Sequence, residues 1–195
     1  MITHADFKCP YKSPDEIRRI ADAFHQKYWG KKNVPVNVEL IAEKIGLEII
    51  PVDVFDNIDA YLKLDAKGII VNSKRYNGAR YINRLRFSIA HEIGHFVLHK
   101  NVIRRLYFDT IGEYADFIEK VPAKEYNRFE FQANEFAGRV LVPRNRLRNV
   151  LDKAFLNLKK NRDHKMLIDD PDQIFYRISR SLGGAFGVSE QVVEI

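Results

Sequence analysis

At 195 residues, 46% apolar and 30% charged, the chain can bury one core and lacks the bias of collagen, low-complexity or disordered sequence. Its net charge of +6 is concentrated between Arg139 and Lys165, where nine Lys/Arg face only Asp152 and Asp163; that segment reads first as a solvated helix face and second as a contact for nucleic acid or an acidic partner. One cysteine, Cys9, excludes an intrachain disulfide and reads as a free surface thiol, and without an apolar leader or a membrane-length run a cytoplasmic protein is expected.

Met1 to Lys12 reads as an irregular leader. Ser13-Pro14-Asp15-Glu16 is a helix start, with a capping hydroxyl, proline in the first turn and acids behind it. Ile17, Ile20, Ala21, Phe24 and Tyr28 carry the helix to Trp29-Gly30. A second helix runs from Val38 to Ile45 and stops at Gly46. Leu47 to Ile50 and Tyr61 to Leu64 read as strands, with Asp65 to Gly68 turning the chain into a returning strand, Ile69 to Val71. Asn77-Gly78 introduces a long helix, Ile82 to Leu98. Asn101 to Lys120 is expected to be loop with short helical pieces. Helices follow over Ala123–Leu141, Asn145–Lys160 and Gln173–Leu182, the last ended by Gly183-Gly184. The order predicts an α+β fold: helices, a small antiparallel sheet, a buried motif helix, then more helices. A boundary is expected after Pro143, giving one main unit over 13–143 and a basic helical extension over 144–195.

The long helix carries His91-Glu92-Ile93-Gly94-His95. Residues four apart lie one turn above each other, so both imidazoles can hold one metal ion. Glu92 is offset by one residue and can take a proton from a water without being a ligand. That is the chemistry of zinc hydrolases. The helix is apolar on nearly every side, which marks it as buried. Three polar side chains facing inward there need partners, and a metal satisfies all of them.

A catalytic zinc needs a third protein ligand. His99 shares the His91 and His95 face but sits two turns from the first, so a supporting role suits it better. On the Ala123–Leu141 helix, Ala133, Ala137 and Leu141 cluster around Glu130, which places Glu130 inward and Glu135 in solvent. Asn134 shares the Glu130 face and can hold a ligand histidine by its other ring nitrogen.

The run Arg86 to His95, ending in His99, resembles the core motif of the ImmA/IrrE metallopeptidases, as does Glu130 to Ala137 followed by Leu141-Val142-Pro143. Val34-Pro35-Val36, through Glu39 to Ala42 and Gly46-Leu47, resembles the family's first helix pair, and Gly68 to Asn72 its edge strand. The resemblance implies a zincin-like fold, His91, His95 and Glu130 as ligands, and Glu92 as general base. It also implies a cytoplasmic endopeptidase acting on helix-turn-helix repressors. The tail from Ala185 to Val193 resembles the start of a helix-turn-helix but reads as packing rather than base recognition.

The expected protein is therefore a zinc endopeptidase, with another divalent ion such as Mn²⁺ as the substitute metal and a repressor as substrate. Ile69, Ile70 and Val71 would hold an extended substrate by strand addition. Tyr81, Tyr126 and His99 stand as candidates for the oxyanion donor. The alternative is a metal-stabilised regulator that binds a repressor, or DNA through the basic segment, without cutting.

Overall fold

In a computed structural model the described residues are 4–30, 33–53, 58–106, 111–160, 179 and 181–193. Helix α1 (Pro14–Tyr28) starts where Ser13 Oγ accepts the Glu16 amide at 3.2 Å. Helix α2 (Val38–Lys44) starts on Asn37 in the same way, and the chain leaves it through Gly46 at φ +78°. Both are the side-chain caps that satisfy orphan amides.

Three strands follow: β1 (Glu48–Val52), β2 (Ala60–Leu62) and β3 (Gly68–Asn72). The β2–β3 hairpin is antiparallel as expected, but β1 lies parallel on the other side of β3, so the sheet is mixed and its order is β1-β3-β2. Turn residues fix only the hairpin. The position of β1 is set by burial, since Ile69 and Val71 are fully buried in the middle of the sheet. Gly68 allows the approach: a Cβ there would stand 3.1 Å from the Glu48 carbonyl oxygen.

Asn72 caps a one-turn helix, α3 (Ser73–Tyr76), and a 3-10 turn at Ala79–Tyr81 leads into α4 (Ile82–Ile103). Helix α4 outruns its expected end by five residues. The stretch expected to be mostly loop also holds α5 (Ile111–Lys120), whose Phe117 is buried with Phe7, Cys9, Leu106 and Val121 in a second, smaller core. Cys9 is thus not a surface thiol. The leader folds back over α5 and α6 (Ala123–Leu141), where Phe7 meets the Phe117 and Phe129 rings edge-on at 5.4 and 5.6 Å. Aromatic packing of this kind leaves no periodic trace in a short irregular segment.

Helix α7 (Arg144–Lys160) lays Leu147, Val150 and Leu151 against the main core. The start of the helix expected at Gln173 lies outside the described residues. Its end does not: residues 181–186 are helical through Gly183-Gly184, and the chain turns only at Gly187, φ +63°. Leu182, Phe186, Val188, Val192 and Val193 join the main core, so residues from both sides of Pro143 share it. Among the described residues, no helix is long and apolar enough to cross a membrane.

The packing of α4 on α6 positions the site. Gly94 sits at their contact, where a Cβ would fall 3.0 Å from the Ala133 carbonyl oxygen and 3.2 Å from both Ala133 Cα and the Phe136 ring. Two of those atoms are backbone and cannot turn aside. Gly94→Val should therefore force the helices apart and lower stability by about 1–3 kcal/mol, the usual cost of overpacking. A urea midpoint equal to that of the parent would show that the helices have slack there.

Candidate metal centre

His91 and His95 project from one face of α4 toward Glu130 on α6. The two Nε2 atoms are 2.9 Å apart; His91 Nε2 is 3.2 Å from Glu130 Oε2 and His95 Nε2 is 3.4 Å from Oε1. The other ring nitrogens are taken: His91 Nδ1–H donates to Asn134 Oδ1 at 2.8 Å, and His95 Nδ1 meets His99 Nδ1 at 3.0 Å. Both rings therefore turn Nε2 toward the carboxylate. Two imidazole nitrogens and two carboxylate oxygens so close together require a cation among them. The donor set fits a divalent metal, and zinc by its preference for nitrogen with one oxygen.

The electrostatics agree. Burial alone would lower the His91 pKa, but the Glu130, Glu92 and Asn134 contacts outweigh it and raise it. Burial alone would raise the Glu130 pKa, yet hydrogen bonds from His91 and His95 and their charge hold it well below the usual carboxylate range. A proton shared in that gap is the smallest cation that can occupy it. A metal ion would displace it.

Glu92 is outside the triad. Burial raises its pKa, opposed by the nearby His91 and His95. Its Oε2 accepts the Leu62 amide of β2 at 2.8 Å. Asp59 accepts the Asn72 amide and Lys63 donates to Gly68, so by two-residue alternation Ala60 and Leu62 turn their backbone groups to the outer edge of the sheet. That edge, the triad and Tyr126 face one cleft of about 1200 Å³. The tail reaches its rim with Ser189 and Gln191.

Three expectations need correction. Ile69, Ile70 and Val71 lie on the central strand, paired on both sides, so they cannot accept another strand; β1 and β2 are the edges, and β2 is the one that lines the cleft. Glu135 is not in solvent: it is 8% exposed and meets Arg18 Nε at 3.3 Å, because α1 covers the far side of α6. Glu130, by contrast, has a side chain 30% exposed at the cleft. A wheel drawn for one buried face fails on a helix packed on two.

The three oxyanion candidates also separate. Tyr81 stacks under Arg75 and Arg80, with the guanidinium carbons 5.9 and 4.6 Å from the ring centre. His99 is 1% exposed and occupied by His95 and Gln132. Tyr126, one turn before Glu130, lines the cleft. Its pKa is pushed up to about 12 by burial first and then by Glu130 and Glu92, which keeps it a neutral O–H donor.

Reading the sequence alone missed Phe129. Its ring covers both His95 and His99, with centroids 4.1 and 4.3 Å away at interplanar angles of 30° and 31°. Phe129 directly precedes Glu130, and its place beside the apolar stripe was a usable signal.

A sequence profile of the IrrE N-terminal-like domain, a peptidase family, matches residues 42–195. The chain belongs to this family. The match runs from the last turn of α2 through the tail and contains the whole triad, so the IrrE-like chain is metallopeptidase-like by descent and by the geometry of His91, His95 and Glu130. No curated protein matches it closely. The leader and α1 lie ahead of the matched IrrE-like region.

Proposed function

We propose that the protein is a zinc-dependent endopeptidase whose substrate is a regulatory protein of the helix-turn-helix repressor class. The observation that carries the reaction type is Glu92: a carboxylate beside the triad, outside it, and facing the same cleft. A site meant only to hold a structural ion has no use for such a group. Zinc, when bound by His91, His95 and Glu130, supplies Lewis acidity at the scissile carbonyl and lowers the pKa of water. Glu92 takes the proton of the attacking water and delivers it to the leaving amine. The substrate adds to the outer edge of β2, where its backbone replaces Glu92 as the partner of the Leu62 amide and frees the base. Tyr126 donates its O–H to the oxygen that gains charge. The repressor class rests on the family resemblance.

The test is incubation of the metal-loaded protein with helix-turn-helix repressors of the same cell, read by mass spectrometry of the fragments. Defined fragments that a chelator abolishes are expected. Tyr126→Phe should lower kcat by about 10²–10³-fold with little change in KM, the signature of a donor that acts on the transition state. An unchanged kcat would remove Tyr126 from the reaction.

The second reading, a regulator that binds without cutting, is favoured by α7, where Arg144, Arg148 and Lys153 are exposed. Contacts of that kind to nucleic acid would be non-specific and fall steeply with salt.

A further inference from the structure

The metal site is tied to the leader by one buried chain of hydrogen bonds. His95 Nδ1 meets His99 Nδ1 at 3.0 Å, His99 Nε2 meets Gln132 Oε1 at 3.1 Å, and Gln132 Nε2 donates to the Pro10 carbonyl at 2.9 Å. Gln132 and His99 are 0% and 1% exposed, so water does not compete for these bonds. The direction of the chain follows from its end. A backbone carbonyl can only accept, so the Gln132 amide nitrogen must face Pro10 and its oxygen must face His99. That oxygen also only accepts, so the proton of His99 sits on Nε2. His99 Nδ1 is then a lone pair, and the proton of His95 sits on Nδ1. His95 Nε2 is then the nitrogen that faces Glu130, and it opens to an ion once the proton shared in that gap leaves. Pro10, which does not itself line the cleft, thus sets the tautomer of a metal ligand.

We propose that the leader is a working part of the metal centre: docked, it fixes the polarity that keeps His95 Nε2 open to the ion, so leader docking and metal binding are coupled. The inference rests on His91, His95 and Glu130 being the metal site. Pro10 lies ahead of the family-matched residues 42–195. The leader is held independently of the metal as well. Glu125 accepts the Cys9 amide at 2.9 Å, Arg128 donates to the Cys9 carbonyl at 3.1 Å, and Phe7 is 1% exposed. Without the Pro10 carbonyl the Gln132 amide can turn over, His99 can carry its proton on Nδ1, and His95 then loses the acceptor that holds its ring. His99 and Gln132 act here as positioning residues and touch no substrate.

The experiment measures Co²⁺ affinity of the full chain by competition with a chromophoric chelator, alongside the visible cobalt spectrum and the melting curve. Gln132→Met keeps the volume and removes both bonds; affinity should fall about 10–100-fold, the usual cost of losing the partner of a ligating histidine. Gln132→Glu supplies His99 with an acceptor however the leader sits, and should restore most of the affinity. Coupling is reciprocal, so in the unaltered protein removal of cobalt should speed tryptic cleavage after Lys8 and Lys12. Cobalt affinity within about 2-fold of the parent in folded Gln132→Met overturns the proposal, as does leader cleavage indifferent to metal. If Gln132→Met does not fold, the rescue variant and the cleavage rates decide. A parent chain that takes up no cobalt refutes the metal site itself, a different failure.

Discussion

Glu92→Gln should fold, keep its metal and bind its partner, yet cleave about 10²–10⁴-fold more slowly, the usual contribution of a general base. The substitution preserves shape, and the new amide oxygen still accepts the Leu62 amide that Glu92 Oε2 takes at 2.8 Å. It even removes a buried carboxylate whose pKa burial raises, so stability should hold or improve. What it cannot do is accept the proton of water. Cleavage is therefore lost while binding is kept, and the two readings of the protein part here. Restoration of regulation in a deletion strain by Glu92→Gln, to the level of the parent, would mean that cutting is not the function.

The second large effect concerns two acids on α6 five residues apart. Glu130→Ala removes the carboxylate that stands 3.2 and 3.4 Å from the histidine nitrogens, and metal content should fall to near zero. Glu135→Ala removes the partner of Arg18 on the opposite side and should leave metal content intact, with only a small fall in melting temperature because the Arg18 side chain is 45% exposed. Acid should act on the parent as Glu130→Ala does. The raised His91 pKa means that protons compete for the gap, so metal affinity should weaken as pH falls through the His91 titration and recover above it. Elemental analysis of the two variants settles the assignment, and equal loading would refute it.

Much of this site can be read from spacing. The four-residue step from His91 to His95 puts both rings on one face of a helix, and the stripe around Glu130 picks out that acid over Glu135 because small and apolar residues repeat with it. Asn134 follows from the same stripe. These are local regularities, and helices preserve them. The features that escaped are long-range. Nothing periodic announces that β1 closes the far side of β3 and makes β3 the central strand, with β2 as the edge at the cleft, since the choice is made by burial of Ile69 and Val71. Glu135 looked solvated because its cover comes from α1, more than one hundred residues earlier. The leader carries no pattern, yet Phe7, Cys9 and Pro10 find α5 and α6 through ring packing and backbone carbonyls, contacts that irregular sequence does not advertise.

The central claim is that one divalent ion sits among His91, His95 and Glu130, and its most direct test is anomalous diffraction from crystals of the zinc-loaded protein at the zinc edge. A single peak is expected at about 2.0–2.2 Å from His91 Nε2, His95 Nε2 and a Glu130 oxygen, with Glu92 outside bonding distance. A peak held by other residues, or no peak in crystals soaked at saturating zinc, would contradict it.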